Sequence, residues 1–412
     1  MRVRFVIPCV VLSGAWLLSG CGEAPESHFV LNAKTETLIP EARTIVQSVL
    51  EENFGTANHL VGWQKFPINY GTGDPALGDK NPRSKDGWRL KEGRNLYMQH
   101  CLHCHGVSGD GAGPTAKFLN PRPRDYRQGT FKFKSTQAPM KPSHADLVRV
   151  LKDGIPGTYM PSFVLLGDEK LSLIVDYVRF LSCRGEVEIR VVSDLAAAGA
   201  TEKDIRARVT EGKVKRSEAI AEVIKTIKDD LEGIVEQHTS DIAETWATAE
   251  LPESVITPTV KRTPPTKESI ERGRKLYLSQ IEGKKTQCAD CHGPQGRGDG
   301  PNTEQFWPVP GATPERKYEV IGLHDDWGFP QQPRNLTRGV YRGGRRPVDI
   351  YRRIFSGIRG TQMPGFGGTV LNDAEIWDVV NYVLSIPFDG KESPYPTDVE
   401  EAPKAEVAAT KE

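Results

Sequence analysis

Two short stretches of this chain repeat each other: Cys101-Leu102-His103-Cys104-His105 and Cys288-Ala289-Asp290-Cys291-His292. Each is a C-x-x-C-H. Two thiols one helical turn apart can each add to a vinyl group of a haem, and the adjacent histidine then sits under the iron. The pattern reads as covalent c-type haem attachment, twice. A zinc ribbon wants its second C-x-x-C within roughly 15–20 residues, and these two pairs lie far beyond that reach. A thioredoxin-like pair needs a strand–helix unit around it, whereas these follow helical patterns and open into Gly-rich loops.

The surroundings of the two motifs repeat as well. Upstream, Gly93-Arg94-Asn95-Leu96-Tyr97 matches Gly273-Arg274-Lys275-Leu276-Tyr277, each inside a helical pattern running towards the cysteines. Downstream, Gly109-Asp110-Gly111-Ala112-Gly113-Pro114 matches Gly296-Arg297-Gly298-Asp299-Gly300-Pro301. Further on, Gly154-Ile155-Pro156-Gly157-Thr158-Tyr159-Met160-Pro161 matches Gly357-Ile358-Arg359-Gly360-Thr361-Gln362-Met363-Pro364. Each copy closes with an amphipathic helix: 169–182, carrying Leu173, Ile174, Tyr177, Val178 and Leu181, and 373–385, carrying Ile376, Val379, Val380, Val383 and Leu384. Two copies of one domain is the economical reading.

A chain of 412 residues is long for a single domain, in keeping with that repeat. Basic and acidic residues number 54 each, so global charge draws the chain to no polyanion; with no recognition motif either, nucleic acid is not an expected partner. Between the copies, 201–246 is charged, with Ile220, Val223, Ile224, Ile227, Leu231, Ile234, Val235 and Ile242 at helical spacing and Gly212 as a break. Either a helical hairpin covers the two copies or an exposed helix meets a partner, and covering a core is the commoner use of such a face. Residues 257–266, with three prolines, form a stiff linker.

The N-terminus is an address. Arg2 and Arg4 precede an apolar run over 5–18, which ends in Leu18-Ser19-Gly20-Cys21. This is a secretory signal, too short for a transmembrane helix. Its ending resembles the lipobox of bacterial lipoproteins, which implies cleavage before Cys21 and lipidation of that residue. The other reading is ordinary signal cleavage nearby, which leaves Cys21 a free thiol. Of seven cysteines, Cys9 leaves with the signal, Cys21 takes lipid and four belong to the motifs. Only Cys183 remains, so no disulfide framework is available; its setting is the end of a buried helix.

Residues 87–185 and 267–388 each resemble a small class I cytochrome c domain. The fold this implies is all-α: two tandem cytochrome c domains joined by a helical insertion. It divides the chain into a lipoprotein signal peptide, 1–20; an anchor-proximal segment, 21–86; domain 1, 87–185; the insertion and Pro-rich linker, 186–266; domain 2, 267–388; and a disordered tail, 389–412. The cofactors implied are two covalently bound haem c groups. Cys101 and Cys104, then Cys288 and Cys291, would hold them by thioethers, with His105 and His292 as proximal ligands. The resemblance also implies a methionine on the loop before the last helix as sixth ligand, a place occupied by Met160 and Met363. Met140 is the rival methionine in the first copy, and His144 or His324 are the alternative ligands. Domains of this kind cross their first and last helices through a glycine and aromatics, which here pairs Gly93 and Tyr97 with Tyr177, and Gly273 and Tyr277 with Trp377 or Tyr382. The carbonyl that accepts the proximal imidazole N–H is expected at Pro114 and Pro301, or at Pro121 and Pro333.

Two clusters of cations lie between motif and methionine: Lys117, Arg122, Arg124, Arg127, Lys132, Lys134 and Lys141, then Arg334, Arg338, Arg342, Arg345, Arg346, Arg352 and Arg353. Some would pair with haem propionates and others steer an acidic redox partner, or else they form a solvated face. Thioether ligation favours ferrous iron and raises the potential relative to a second histidine. The resemblance therefore implies an electron-transfer protein without catalytic residues, tethered to the cell envelope and facing the periplasm. Its partners would be respiratory redox proteins: a quinol-oxidising complex, a terminal oxidase, or a soluble cytochrome or cupredoxin. The alternative is a di-haem enzyme such as a cytochrome c peroxidase or thiosulfate dehydrogenase, which needs one haem open or unusually ligated. Two matched Met-Pro loops argue against it.

Overall fold

The computed structural model describes residues 28–71, 87–312 and 314–389. Residues 1–20, where a signal peptide is expected, Cys21 and the tail beyond Asp389 lie outside the described residues. The all-α expectation holds: the described residues form helices and loops, joined by isolated bridges and no strand. In chain order the helices are α1 (Pro40–Phe54), α2 (Trp88–His100), α3 (Leu102–His105), α4 (His144–Asp153), α5 (Gly167–Ala197), α6 (Glu202–Gly212), α7 (Arg216–Thr248), α8 (Lys267–Tyr277), α9 (Cys288–His292), α10 (Pro347–Ser356) and α11 (Asp373–Ser385).

In each copy the first and last long helices cross, and sequence explains how closely. Helix α2 buries Leu90, Gly93, Leu96 and Tyr97, a single stripe at helical spacing. A Cβ at Gly93 would drive into the Leu173 carbonyl oxygen of α5, so only glycine admits the crossing. Tyr97 then meets Tyr177 edge-on, centroids 5.1 Å apart. In the second copy α8 buries Ile270, Gly273, Leu276 and Tyr277, and Gly273 faces the Asp378 carbonyl of α11. Of the two aromatics open to Tyr277, the partner is Tyr382, at 5.2 Å. It lies one turn beyond Asp378, as Tyr177 lies one turn beyond Leu173. Trp377 turns instead to Tyr351 of α10, at 4.5 Å.

The closing helix of the first copy does not stop at Ser182. Helix α5 runs unbroken to Ala197, burying Cys183, Val187, Val191, Val192 and Leu195. Arg184, Gly185, Glu186 and Glu188 have the look of a solvated helix end, but their charges are spent inside. Glu186 pairs with Lys141 and accepts from Trp246 Nε1 (2.9 Å), while Glu188 accepts from the Thr35 hydroxyl (2.9 Å). Helix α5 as a whole is a platform: α1 packs on it through Phe54 and Phe180 (5.5 Å), and α7 through Ile242 and Trp246. The inter-copy helices thus cover a core, as the commoner reading expected, with α6 ending at Gly212 where the break was placed. Two cores result, one around α2, α5, α1 and α7, the other around α8, α10 and α11.

Gly273→Ala forces a methyl against the Asp378 carbonyl. The expected loss is at the upper end of the ~1–3 kcal/mol typical of over-packing, read as a lowered denaturant midpoint. An unchanged midpoint would show that the two helices do not cross there.

Candidate haem sites

Each C-x-x-C-H occupies the turn that follows the crossing helix. Helix α2 ends at His100, Cys101 leaves helical geometry, and α3 is the single turn that carries Cys104 and His105. Helix α9 does the same for Cys288, Cys291 and His292. A glycine-rich loop then folds back over each turn. The Gly113 N–H donates to the Cys104 carbonyl (3.2 Å), and the Gly300 N–H donates to that of Cys291 (3.2 Å). A Cβ at Gly113 would lie 2.5 Å from the Leu102 and His103 carbonyl oxygens, which explains why this loop repeats its glycines. All five described cysteines are free. Burial pushes the Cys101 thiol up to about 12 and the Cys288 thiol up to about 11, so both stay protonated at neutral pH.

The two histidines are set alike. Burial pushes the His105 ring down to about 4, and lowers that of His292 for the same reason. His105 Nδ1 lies 3.3 Å from the Arg124 carbonyl, and His292 Nδ1 lies 3.1 Å from that of Arg334. A carbonyl can only accept, so Nδ1 carries the proton in both and Nε2 is left with a free lone pair, the atom a metal takes. The acceptor is therefore none of the prolines expected. The signal was present but misaligned: Pro333-Arg334-Asn335 corresponds to Pro123-Arg124-Asp125, two residues beyond Pro121.

Across from the first motif, a cavity of about 490 Å³ is bordered by Cys101, Cys104 and His105 on one side and by Met160, Leu147 and Phe163 among others. That volume falls within the ~300–1,000 Å³ of sites that take a cofactor-sized ligand. Met160 is the one methionine bordering it among the described residues. Its alternatives Met140, His144 and His324 do not border that cavity. Met140 gives its carbonyl to Lys134 Nζ (2.8 Å), and His144 Nε2 lies 3.3 Å from the Ser172 hydroxyl and 3.5 Å from Asp176. His324 is buried, its ring stacked on Tyr318 (3.8 Å) with Nδ1 on the Gly322 carbonyl (2.9 Å). Cys183 is fully buried in α5 and does not border the cavity.

The methionine loops are built by one hydrogen-bond scheme. The Met160 N–H donates to Thr158 Oγ1 (3.1 Å), that hydroxyl donates to the Ile155 carbonyl (2.8 Å), and the Ile155 N–H donates to the Met160 carbonyl (3.1 Å). Met363, Thr361 and Ile358 repeat it at 3.2, 2.6 and 3.0 Å. The threonines are functional residues that the sequence reading overlooked, although each stands in the repeated stretch. Many of the clustered cations are likewise internal ties rather than a solvated face. Arg127 pairs with Asp125 (2.9 Å), Arg346 with Asp349 (2.8 Å), and Arg352 donates to the Ile256 carbonyl (3.1 Å).

The family model described as Cytochrome c matches residues 90–182 and 270–387, together just over half of the chain. A solved structure titled as a reducing HAO-like protein complex of Kuenenia stuttgartiensis is similar at 25% identity, covering 72% of this chain and 96% of its own, with a TM-score of 0.48. No curated protein matches the chain.

Proposed function

The chain belongs to the cytochrome c family, whose domains bind haem c covalently and transfer electrons, and from that premise we propose that it is a di-haem electron carrier with two six-coordinate, His/Met-ligated sites. The observation that carries this reading is the repetition, in both copies, of a threonine-hung methionine loop together with a proximal histidine whose Nδ1 is held by a main-chain carbonyl. When bound, haem c supplies an iron that takes up and returns a single electron. The thiols of Cys101 and Cys104, and of Cys288 and Cys291, anchor the groups as thioethers. His105 and His292 would offer Nε2 to the iron, and Met160 and Met363 would offer Sδ. Burial of both imidazoles favours their neutral form, the one that can ligate, and the fixed threonine loops limit the movement that would open a site to substrate.

The proposed setting is the periplasmic face of the cell envelope, with lipid on Cys21 as the tether. No helix of the described residues is long and apolar enough to cross a membrane. The proposed partners are respiratory redox proteins, met either as a tethered carrier or as a subunit of a membrane complex.

A visible and EPR spectrum of the holoprotein is expected to show two low-spin haems with the far-red methionine–iron band. Met363→His is expected to lower the midpoint potential of one haem and leave the other in place. A high-spin signal, or rapid reaction with peroxide or thiosulfate, would point to the di-haem enzyme instead.

Intact mass of the denatured chain is expected to include two haems, and the Cys101→Ser/Cys104→Ser variant one. A variant that still carries two would place an attachment point outside the motif.

Cys21→Ser is expected to move the protein from the membrane fraction to the soluble fraction. Continued firm attachment would overturn the lipid tether.

A further inference from the structure

The two domains touch through the loops that carry their methionines. The guanidinium of Arg124, whose carbonyl holds His105, lies 3.8 Å from the ring centroid of Trp327 in the second domain and sits against Gly360. Reciprocally Arg334, whose carbonyl holds His292, presents its guanidinium to Gly157 of the first domain. Gly157 and Gly360 occupy the same place in the repeated Gly-Ile-x-Gly-Thr-x-Met-Pro loop. A second arginine of the second domain, Arg342, reaches the Gly157 carbonyl with Nη2 (3.5 Å) and borders the first domain's cavity beside Arg122 and Arg124.

Within this seam Arg342 has no carboxylate among the described residues acting on it. Arg342 Nε and Arg124 Nη1 are buried without a hydrogen-bond partner. Burial, then the neighbouring Arg334, pushes Arg342 below the usual guanidinium range, and no carboxylate among the described residues offsets it. Burial pushes Arg124 down to about 10 despite Asp325 and Asp326 nearby. Buried guanidinium donors left unpaired are costly, and planar forks of this kind match carboxylates. A haem brings two carboxylates on its propionate arms into the cavity that these arginines border.

We propose that Arg342, from the second domain, completes the first domain's haem site by binding the haem carboxylates, so that the first site is whole only when the two domains are docked. This rests on the two-haem reading above.

The test is potentiometric titration of the holoprotein in a Met363→His background, where the second haem is expected to titrate separately at lower potential. A positive charge near a haem disfavours its ferric form, so Arg342→Gln is expected to lower the first haem's midpoint. The expected size is about tenfold in its reduced-to-oxidised ratio, or about 59 mV for one electron. Arg342→Met carries the same expectation and answers the question if the glutamine variant does not accumulate. Arg342→Lys keeps the charge and is expected to retain most of the original midpoint. An unmoved first wave, movement confined to the second wave, or a lysine variant as low as the glutamine one would each overturn the assignment. Failure of the two-haem reading is distinguishable, because it appears as a single haem per chain before any arginine is changed.

Discussion

At Gly93 the main chain of α2 comes against the carbonyl of Leu173, and at Gly273 that of α8 comes against Asp378, with no room for a methyl in either place. What faces each motif hangs from that contact. The crossing seats Tyr97 under Tyr177, and the Tyr97 hydroxyl then donates to the Gly106 carbonyl (2.8 Å), just past the histidine of the motif. Tyr277 does the same for Gly293 at 2.7 Å. One glycine thus sets the distance between two helices, and one tyrosine passes that distance on to the turn carrying two thiols and an imidazole. Shared contacts of this kind hold the motif in place, helped by Cys101 and Leu102 in the first core and by Cys288 and Ala289 against the second.

The second constraint is polar. From Arg179 on, α5 is buried on most sides, yet it carries Arg179, Arg184, Glu186 and Glu188. Three of them find partners in segments distant in sequence, Lys141 and Trp246 for Glu186, Glu250 for Arg179 (3.1 Å) and Thr35 for Glu188, while Arg184 pairs with Glu188 one turn on (3.7 Å). Removing one partner of such a buried pair typically costs ~3–5 kcal/mol, because the other charge is left stranded. The insertion is therefore bound to the first domain by complementarity as well as by apolar area, and α7 is an integral wall of that domain's core.

Much of this was legible in the sequence because it rested on side-chain type and period. The motifs, the paired methionine loops, the glycine–tyrosine crossings and the break at Gly212 all have residue signatures. Two features were not. The acceptors for His105 and His292 are main-chain carbonyls, which any residue supplies, so proline was a poor guide and only a correct alignment of the Pro-Arg-Asp/Asn stretches would find Arg124 and Arg334. The continuation of α5 has no apolar signature at its start, because polar residues follow Cys183. Arg184, Gly185 and Glu186 spell a helix end in isolation, and only the fold shows that their partners are internal.

The copies repeat their loops but not their surroundings. The first is fused through α5 to the insertion, so its core includes α1 and α7, whereas the second closes on itself with α10 and α11. Ties such as Arg149 to Asp349 (2.5 Å) and Lys132 to Gln331 (3.0 Å) join the two across their boundary. An electron held in one domain therefore sits in a field set partly by the other. A charge within a few ångströms, in a medium of effective dielectric near ~20, acts with a few kcal/mol. Loops of one pattern thus stand in unlike surroundings, because the first copy grew a shared core with the insertion and the second did not.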